Sequence, residues 1–160
     1  MRTDPRRAGQ AVLLALVVLS ALVSAADQGG SEAAARALIQ EGERNLKAGE
    51  VERAVRQFER ALKLSPEDPE AYIHLARAHG AASRFLEAQR ILANATILAR
   101  GNRKVRYKIE LVRGDLYREE GEREQARKAY EQAVGLRFLN REARRRLQRL
   151  DEPEEPPPPE

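Results

Sequence analysis

Two histidines, His74 and His79, are the only imidazoles in the chain, and their spacing does not suit a metal. A helix advances about 100° per residue, so side chains five positions apart point about 140° away from each other. A zinc pair on one helix face needs a spacing of four. There is no cysteine, so neither a thiolate ligand nor a disulfide can form. Nucleophilic catalysis needs a hydroxyl or thiol beside a base that a third group orients. Beyond residue 26 the aliphatic hydroxyls are Ser31, Ser65, Ser83 and Thr96, and none sits in such a motif. Glu119, Glu120, Glu122 and Glu124 crowd together, but they flank Gly121 and read as a solvated turn. Asn94-Ala95-Thr96 matches a glycosylation sequon inside an expected helix, where the match has no supporting context. No catalytic residue, metal ligand or cofactor is expected, and the protein must act through its surface.

That surface is carried by elements whose spacing is regular. Gly42, Ala54, Phe58 and Ala61 form one set. Ala76, Ala88, Leu92 and Ala95 repeat it 34 residues later, and Gly114, Ala126, Tyr130 and Ala133 repeat it again after a further 38. Each set reads as one helical hairpin. A small residue on the first helix meets an alanine on the second, and the helices approach closely. The large residue four positions on then fills the space between hairpins, and the next alanine admits the following unit. Gly49 and Gly121 mark turns that need a left-handed backbone, and Ser83 holds that place in the middle unit. Pro66 stops a helix, and Asp68-Pro69 reads as a cap followed by a first helical residue. Repetition at this length is the mark of a solenoid.

These residues resemble the tetratricopeptide repeat. Its 34-position pattern fits Ala35 to Asp68, Pro69 to Asn102 and Tyr107 to Asn140, about 106 residues in all. Besides the three sets, Pro66, Tyr72, Leu75 and Tyr117 fit. His79 falls where the family usually has tyrosine, so a packing role is expected for it, and His74 is expected at the surface. Arg100 and Phe138 replace the late proline of the second and third units. Residues Arg103 to Arg106 are additional and should lengthen the following helix by one turn. The resemblance implies an all-α fold, a right-handed superhelical solenoid of antiparallel helix hairpins.

The flanks fit around that array. Residues 27–34 are expected to be a short linker and the start of the first helix, with Ser31 as its N-cap. Residues 141–150 are expected to form a capping helix, started by Asn140, with Ala143, Leu147 and Leu150 facing inward and Arg141, Arg144, Arg145 and Arg149 outward. Residues 151–160 form an acidic, proline-rich stretch without helix or strand. At the other end, Arg2, Arg6 and Arg7 precede an uncharged run from Ala11 to Ala26 that ends Val23-Ser24-Ala25-Ala26. This is the three-part pattern of a signal peptide in residues 1–26. Its 16 residues fall short of the roughly 20 that span a bilayer. Uncleaved, residues 11–26 would anchor the protein to a membrane, and in both cases the repeats are exported.

Charge and composition narrow the function. Without residues 1–26 the chain carries 26 basic and 24 acidic residues, and without residues 151–160 as well the body stands at +7. Aromatics make up only 4% of the chain, so the basic surface lacks the interleaved rings that stack on bases, and no nucleic-acid partner is expected. In the tetratricopeptide family the concave face binds partners. The matching positions here are Ile39, Ile73 and Leu111, flanked by Arg36, Glu70 and Lys108 on one side and by Glu43, Arg77 and Asp115 on the other. The resemblance thus implies an apolar stripe edged by mixed charge, suited to a helix or extended peptide with apolar anchors. The family's carboxylate clamp wants Lys where these apolar residues stand and Asn where Glu43, Arg77 and Asp115 stand, and is not expected. The chain reads as an exported, non-enzymatic adaptor with a protein or peptide partner, in the periplasm or another part of a bacterial envelope. The alternative is a membrane-anchored accessory subunit of an envelope complex. Its oligomeric state is not legible.

Overall fold

A computed structural model describes residues 29–136 and 141–152. The signal segment, Asn140, Phe138 and most of the proline-rich stretch lie outside the described residues. Seven helices are present among those described, and no strand. We label them α1 (29–47), α2 (Val51–Leu64), α3 (Pro69–Ala81), α4 (Phe85–Leu98), α5 (Arg103–Glu119), α6 (Arg123–Leu136) and α7 (Arg141–Asp151). Successive helices pair as hairpins, α3 with α4 and α5 with α6. The odd helices also meet one another, α3 on α5, while α4 packs between them from outside. The result is the all-α solenoid that the spacing implies, with the odd helices as an inner layer and the even helices as an outer one.

The turns follow the local chemistry. Gly49 and Gly121 take φ of 78° and 87°. Ser83 does the same at 58° without being glycine, a conformation that costs a side-chain-bearing residue energy. Asp68 caps α3 by accepting a hydrogen bond from the Glu70 amide at 2.9 Å, and Pro69 follows as the first helical residue. Asn102 caps α5 through the Val105 amide at 3.2 Å. That helix has 17 residues against 13 in α3, so the inserted Arg103–Arg106 segment adds one turn, as expected. One local reading fails. Ser31 is not an N-cap, because the backbone is already helical at residue 29 and Glu32 pairs with Arg36 at 3.0 Å within the helix. Glycine lowers helix propensity by about 1 kcal/mol without forbidding the conformation, and Gly29 and Gly30 lie within α1.

The core is built at the repeated positions. Ala54, Ala61, Ala76, Ala88, Ala95, Ala126 and Ala133 have no exposure at all, and neither have Phe58, Leu92 and Tyr130. The role of the small residues is visible directly. A β-carbon on Gly42 would lie 2.5 Å from the Phe58 ring, and one on Gly114 would lie 2.3 Å from the Tyr130 ring. The large residue therefore fills its own hairpin, against the expectation that it lies mainly between hairpins. Phe58 does both, since its ring also stacks on His74 of the next unit at 5.5 Å between centroids. At the far end α7 buries Ala143 and Leu150, half-buries Leu147, and leaves Arg141, Arg144, Arg145 and Arg149 exposed. Arg123 donates to the Leu150 carbonyl and Arg127 pairs with Asp151, which fastens α7 to α6. No helix among the described residues is long and apolar enough to cross a membrane.

Candidate partner groove

The inner layer brings the candidate positions into rows, with ion pairs joining α3 to α5 and α5 to α7 and Glu43 lying close to His74 between α1 and α3. Glu43 on α1 approaches His74 on α3 at 3.4 Å. Glu70 on α3 pairs with Lys108 on α5 at 2.6 Å. Asp115 on α5 pairs with Arg146 on α7 and accepts a hydrogen bond from the Tyr130 hydroxyl at 2.9 Å. Four residues that the sequence offers as ligand contacts, Glu43, Glu70, Lys108 and Asp115, thus meet partners inside the chain. Arg36 pairs with Glu32 on its own helix. Arg77 is exposed and makes no hydrogen bond or ion pair with the described residues. The pairs between helices are half-buried rather than exposed, and they fix the register of one inner helix on the next.

The apolar stripe is not continuous at the surface. Ile73 is 3% and Leu111 8% exposed. They lie under the charged rows, packed in the two hydrophobic cores. Ile39 is half-buried and reaches an open cleft of about 820 Å³ at the α1 end of the inner layer. Arg36 and Glu70 line this cleft too, as do Leu64, Glu67, Asp68 and Glu32. Leu64, 40% exposed, supplies a second apolar wall. It was not among the sequence candidates. The signal was there, since it follows the buried stripe Ala54, Phe58 and Ala61 out of phase and directly precedes Ser65-Pro66. The rim holds four carboxylates, Glu32, Glu67, Asp68 and Glu70, against one guanidinium, that of Arg36.

His74 is not a surface residue. Its side chain is 16% exposed, and its Nδ1 is buried without a hydrogen bond despite the nearby Glu43. Burial lowers its pKa first of all, against the pull of Glu43, with Arg77 lowering it further, Glu70 raising it and Lys108 lowering it. His79 is buried as expected for its packing position, and its Nδ1 also lacks a partner. Burial and then Arg84 lower its pKa, while Glu87, Glu59 and Glu52 oppose them. Asp115 goes the other way for the same reason, since burial raises its pKa against Arg146, the Tyr130 hydrogen bond, Arg118 and Arg77.

The histidines have a consequence for stability. Both stay neutral in the fold at a pH where the unfolded chain, with an ordinary imidazole pKa of about 6.5, takes up protons. Stability is therefore complete above about pH 6.5 and falls as the pH drops from there toward the lowered folded values. The thermal midpoint should decrease between about pH 7.5 and pH 5.5, and His79→Phe should decrease less over the same interval. Equal slopes for the two proteins would contradict this.

The remaining buried polar cluster is structural. Glu110, 7% exposed, takes two hydrogen bonds from Arg113 at 2.8 Å. Arg113 also donates to Thr96, whose hydroxyl is turned to the Leu92 carbonyl at 2.8 Å. The hydroxyl of the sequon is thus engaged between α4 and α5. No group of three metal-binding side chains occurs among the described residues.

Comparison with known proteins bears on the whole array. Residues 45–109 match one family model described as the tetratricopeptide repeat, and residues 111–138 match a second of the same description. Among curated proteins none matches by sequence. Among solved structures the chain is similar to the first tetratricopeptide domain of Spaghetti (RPAP3) bound to the HSP90 peptide SRMEEVD, at 24% identity and a TM-score of 0.62, with 74% of this chain and 91% of that one covered. It is also similar to the OM64 tetratricopeptide domain of Arabidopsis, at 22% identity and a TM-score of 0.62, covering 76% and 97%. A third likeness, at 23% identity and a TM-score of 0.62, is to the Thermobaculum terrenum O-GlcNAc transferase, covering 75% of this chain but 22% of that one.

Proposed function

The chain belongs to the tetratricopeptide repeat family, and from that premise we propose that it is a non-enzymatic adaptor that captures a peptide segment of a partner protein in the cleft at the α1 end of its inner layer. The observation that carries this reading is the coincidence of three family groove positions, Arg36, Ile39 and Glu70, with the walls of the 820 Å³ cleft. A likeness to a domain that holds an HSP90 peptide supports a peptide as the kind of ligand. The ligand chemistry differs from that acidic peptide. Glu32 and Glu70 of the rim are paired with Arg36 and Lys108, so the negative charge left beside the apolar floor of Ile39 and Leu64 is that of Glu67 and Asp68, and it favours an apolar anchor next to a lysine or arginine. The basic n-region and apolar run of residues 1–26 support export, and with it a partner in the cell envelope.

A selection from random displayed peptides tests the site. The selected sequences should share an apolar residue beside Lys or Arg. Ile39→Asp should weaken their binding at least about tenfold, because the anchor would then desolvate a carboxylate. The fold should persist, since Ile39 is only half-buried. A folded Ile39→Asp protein with undiminished binding would move the ligand away from this cleft.

A further inference from the structure

The charge of α7 is not balanced within the fold. Its 11 residues hold five arginines and two carboxylates. Both carboxylates are taken, Glu142 by Arg146 and Asp151 by Arg127. Arg146 also pairs with Asp115, and Arg144 is engaged as well. Arg141, Arg145 and Arg149 are exposed and meet no carboxylate among the described residues. A spacing of four turns a helix by about 40° and advances it by about 6 Å, so these three guanidinium groups form one row about 12 Å long on the outer side of α7. Like charges at this spacing repel one another, and an anionic strand laid along the row relieves that repulsion.

The chain supplies such a strand where the helix ends. Residues 152–160 are four glutamates and five prolines and nothing else. The backbone bends at Glu152, and Pro153 cannot continue the helix. A proline run favours an extended polyproline helix of about 3.1 Å per residue, which sets Glu155 and Glu160 about 16 Å apart. We infer that the arginine row is a docking surface for the chain's own residues 152–160, folded back along α7. Glu154 and Glu155 then come level with Arg149, and Glu160 reaches Arg141. The length of the arginine side chains covers the difference between the two spans. Arg145, in between, faces proline carbonyls, which accept hydrogen bonds and have no amide donor beside them. Arginine suits this role because its planar fork can bind a carboxylate through two parallel hydrogen bonds. A stiff segment loses little freedom on docking, and its short tether gives it a high effective concentration. An external anion reaches the row only by displacing it. The row lies at the far end of the array from the α1 cleft, and this contact does not depend on the adaptor reading.

The absence of native cysteine allows a single nitroxide label at Pro159→Cys in the full, isotope-enriched chain. At low salt the relaxation effect of the label on the Arg141 amide should exceed that on the Arg149 amide at least threefold. In about 1 M salt the screening length falls to about 3 Å, and the order should reverse, because a released segment keeps its label nearest the end of α7. The double variant Arg145→Gln with Arg149→Gln should reverse it too, with the helical circular dichroism unchanged. A larger effect on Arg149 at low salt would show that the segment leaves the row empty. An effect on Arg141 that high salt and the double variant do not weaken would show that the arginines do not hold the segment. Labelled chain without enrichment, mixed with enriched chain without label, should leave Arg141 unaffected, and an equal effect there would assign the contact to a second copy. Each of these three results overturns the inference.

Discussion

Ile73→Asp is expected to unfold the array. Ile73 is 3% exposed within the core that Phe58, Leu75 and Leu92 share. The substitution removes an aliphatic side chain whose burial contributes about 1.5–3 kcal/mol, and it introduces an unpaired carboxylate that the interior cannot solvate. A loss of more than about 4 kcal/mol follows, a size reserved for buried charges and large cavities. A domain of this kind has about 5–15 kcal/mol in total, and each repeat depends on its neighbours. Circular dichroism melting should show either no cooperative transition or one displaced far below that of Ile39→Asp. A cooperative melt close to wild type would mean that Ile73 belongs to the open groove after all.

Two glycine-to-alanine substitutions should have opposite signs. Alanine is favoured over glycine inside a helix by about 0.8–1 kcal/mol. At Gly114 that gain is overwhelmed. The new β-carbon would meet the Tyr130 ring at 2.3 Å, and the ring cannot swing away, because it has no exposure and its hydroxyl is held by Asp115. Overpacking of this kind costs about 1–3 kcal/mol or more. Gly135 lies near the end of α6 with nothing within 4 Å of the added carbon, so Gly135→Ala should stabilise by up to about 1 kcal/mol. The expected result is a midpoint lowered by several degrees for Gly114→Ala and unchanged or raised for Gly135→Ala. The same sign at both positions would show that the contact between Gly114 and Tyr130 does not limit the helix approach.

These two experiments also mark what was legible in the sequence. The hairpins were, because close helix packing leaves a periodic trace. Only a small residue fits at 42, 76 and 114, and only a large one fills the gap at 58, 92 and 130. The turns at Gly49 and Gly121 were legible for a similar reason, since a left-handed backbone favours glycine, and Ser83 was legible only from its register in the repeat. Depth was not. The spacing that puts Ile39, Ile73 and Leu111 in one row says nothing about how far neighbouring inner helices cover each of them. Coverage depends on what lies on both sides, and only α1 lacks a described inner helix before it. That leaves Ile39 at a cleft while Ile73 and Leu111 are enclosed. His74 was misplaced for the same reason, because the ring of Phe58 covers it from another repeat. The internal pairing of Glu43, Glu70, Lys108 and Asp115 was equally hidden. Alternating signs along a row fit a ligand and a neighbouring helix equally well. The start of α1 differed because nothing in the sequence around Ser31 forces a helix to begin there.

The central claim is that partner capture occurs at the α1 end of the inner layer. Gln40 is exposed on the wall of the cleft, and Lys128 is exposed on the outer layer. A photoactivatable cross-linker placed at each position in turn, in the full chain mixed with a native-cell extract, tests the claim most directly. A discrete cross-linked protein is expected from position 40, absent from position 128 and lost in the Ile39→Asp background. Its attached peptide should carry an apolar residue beside Lys or Arg. A discrete product from position 128, with none from position 40, would contradict the account and place the partner on the outer face.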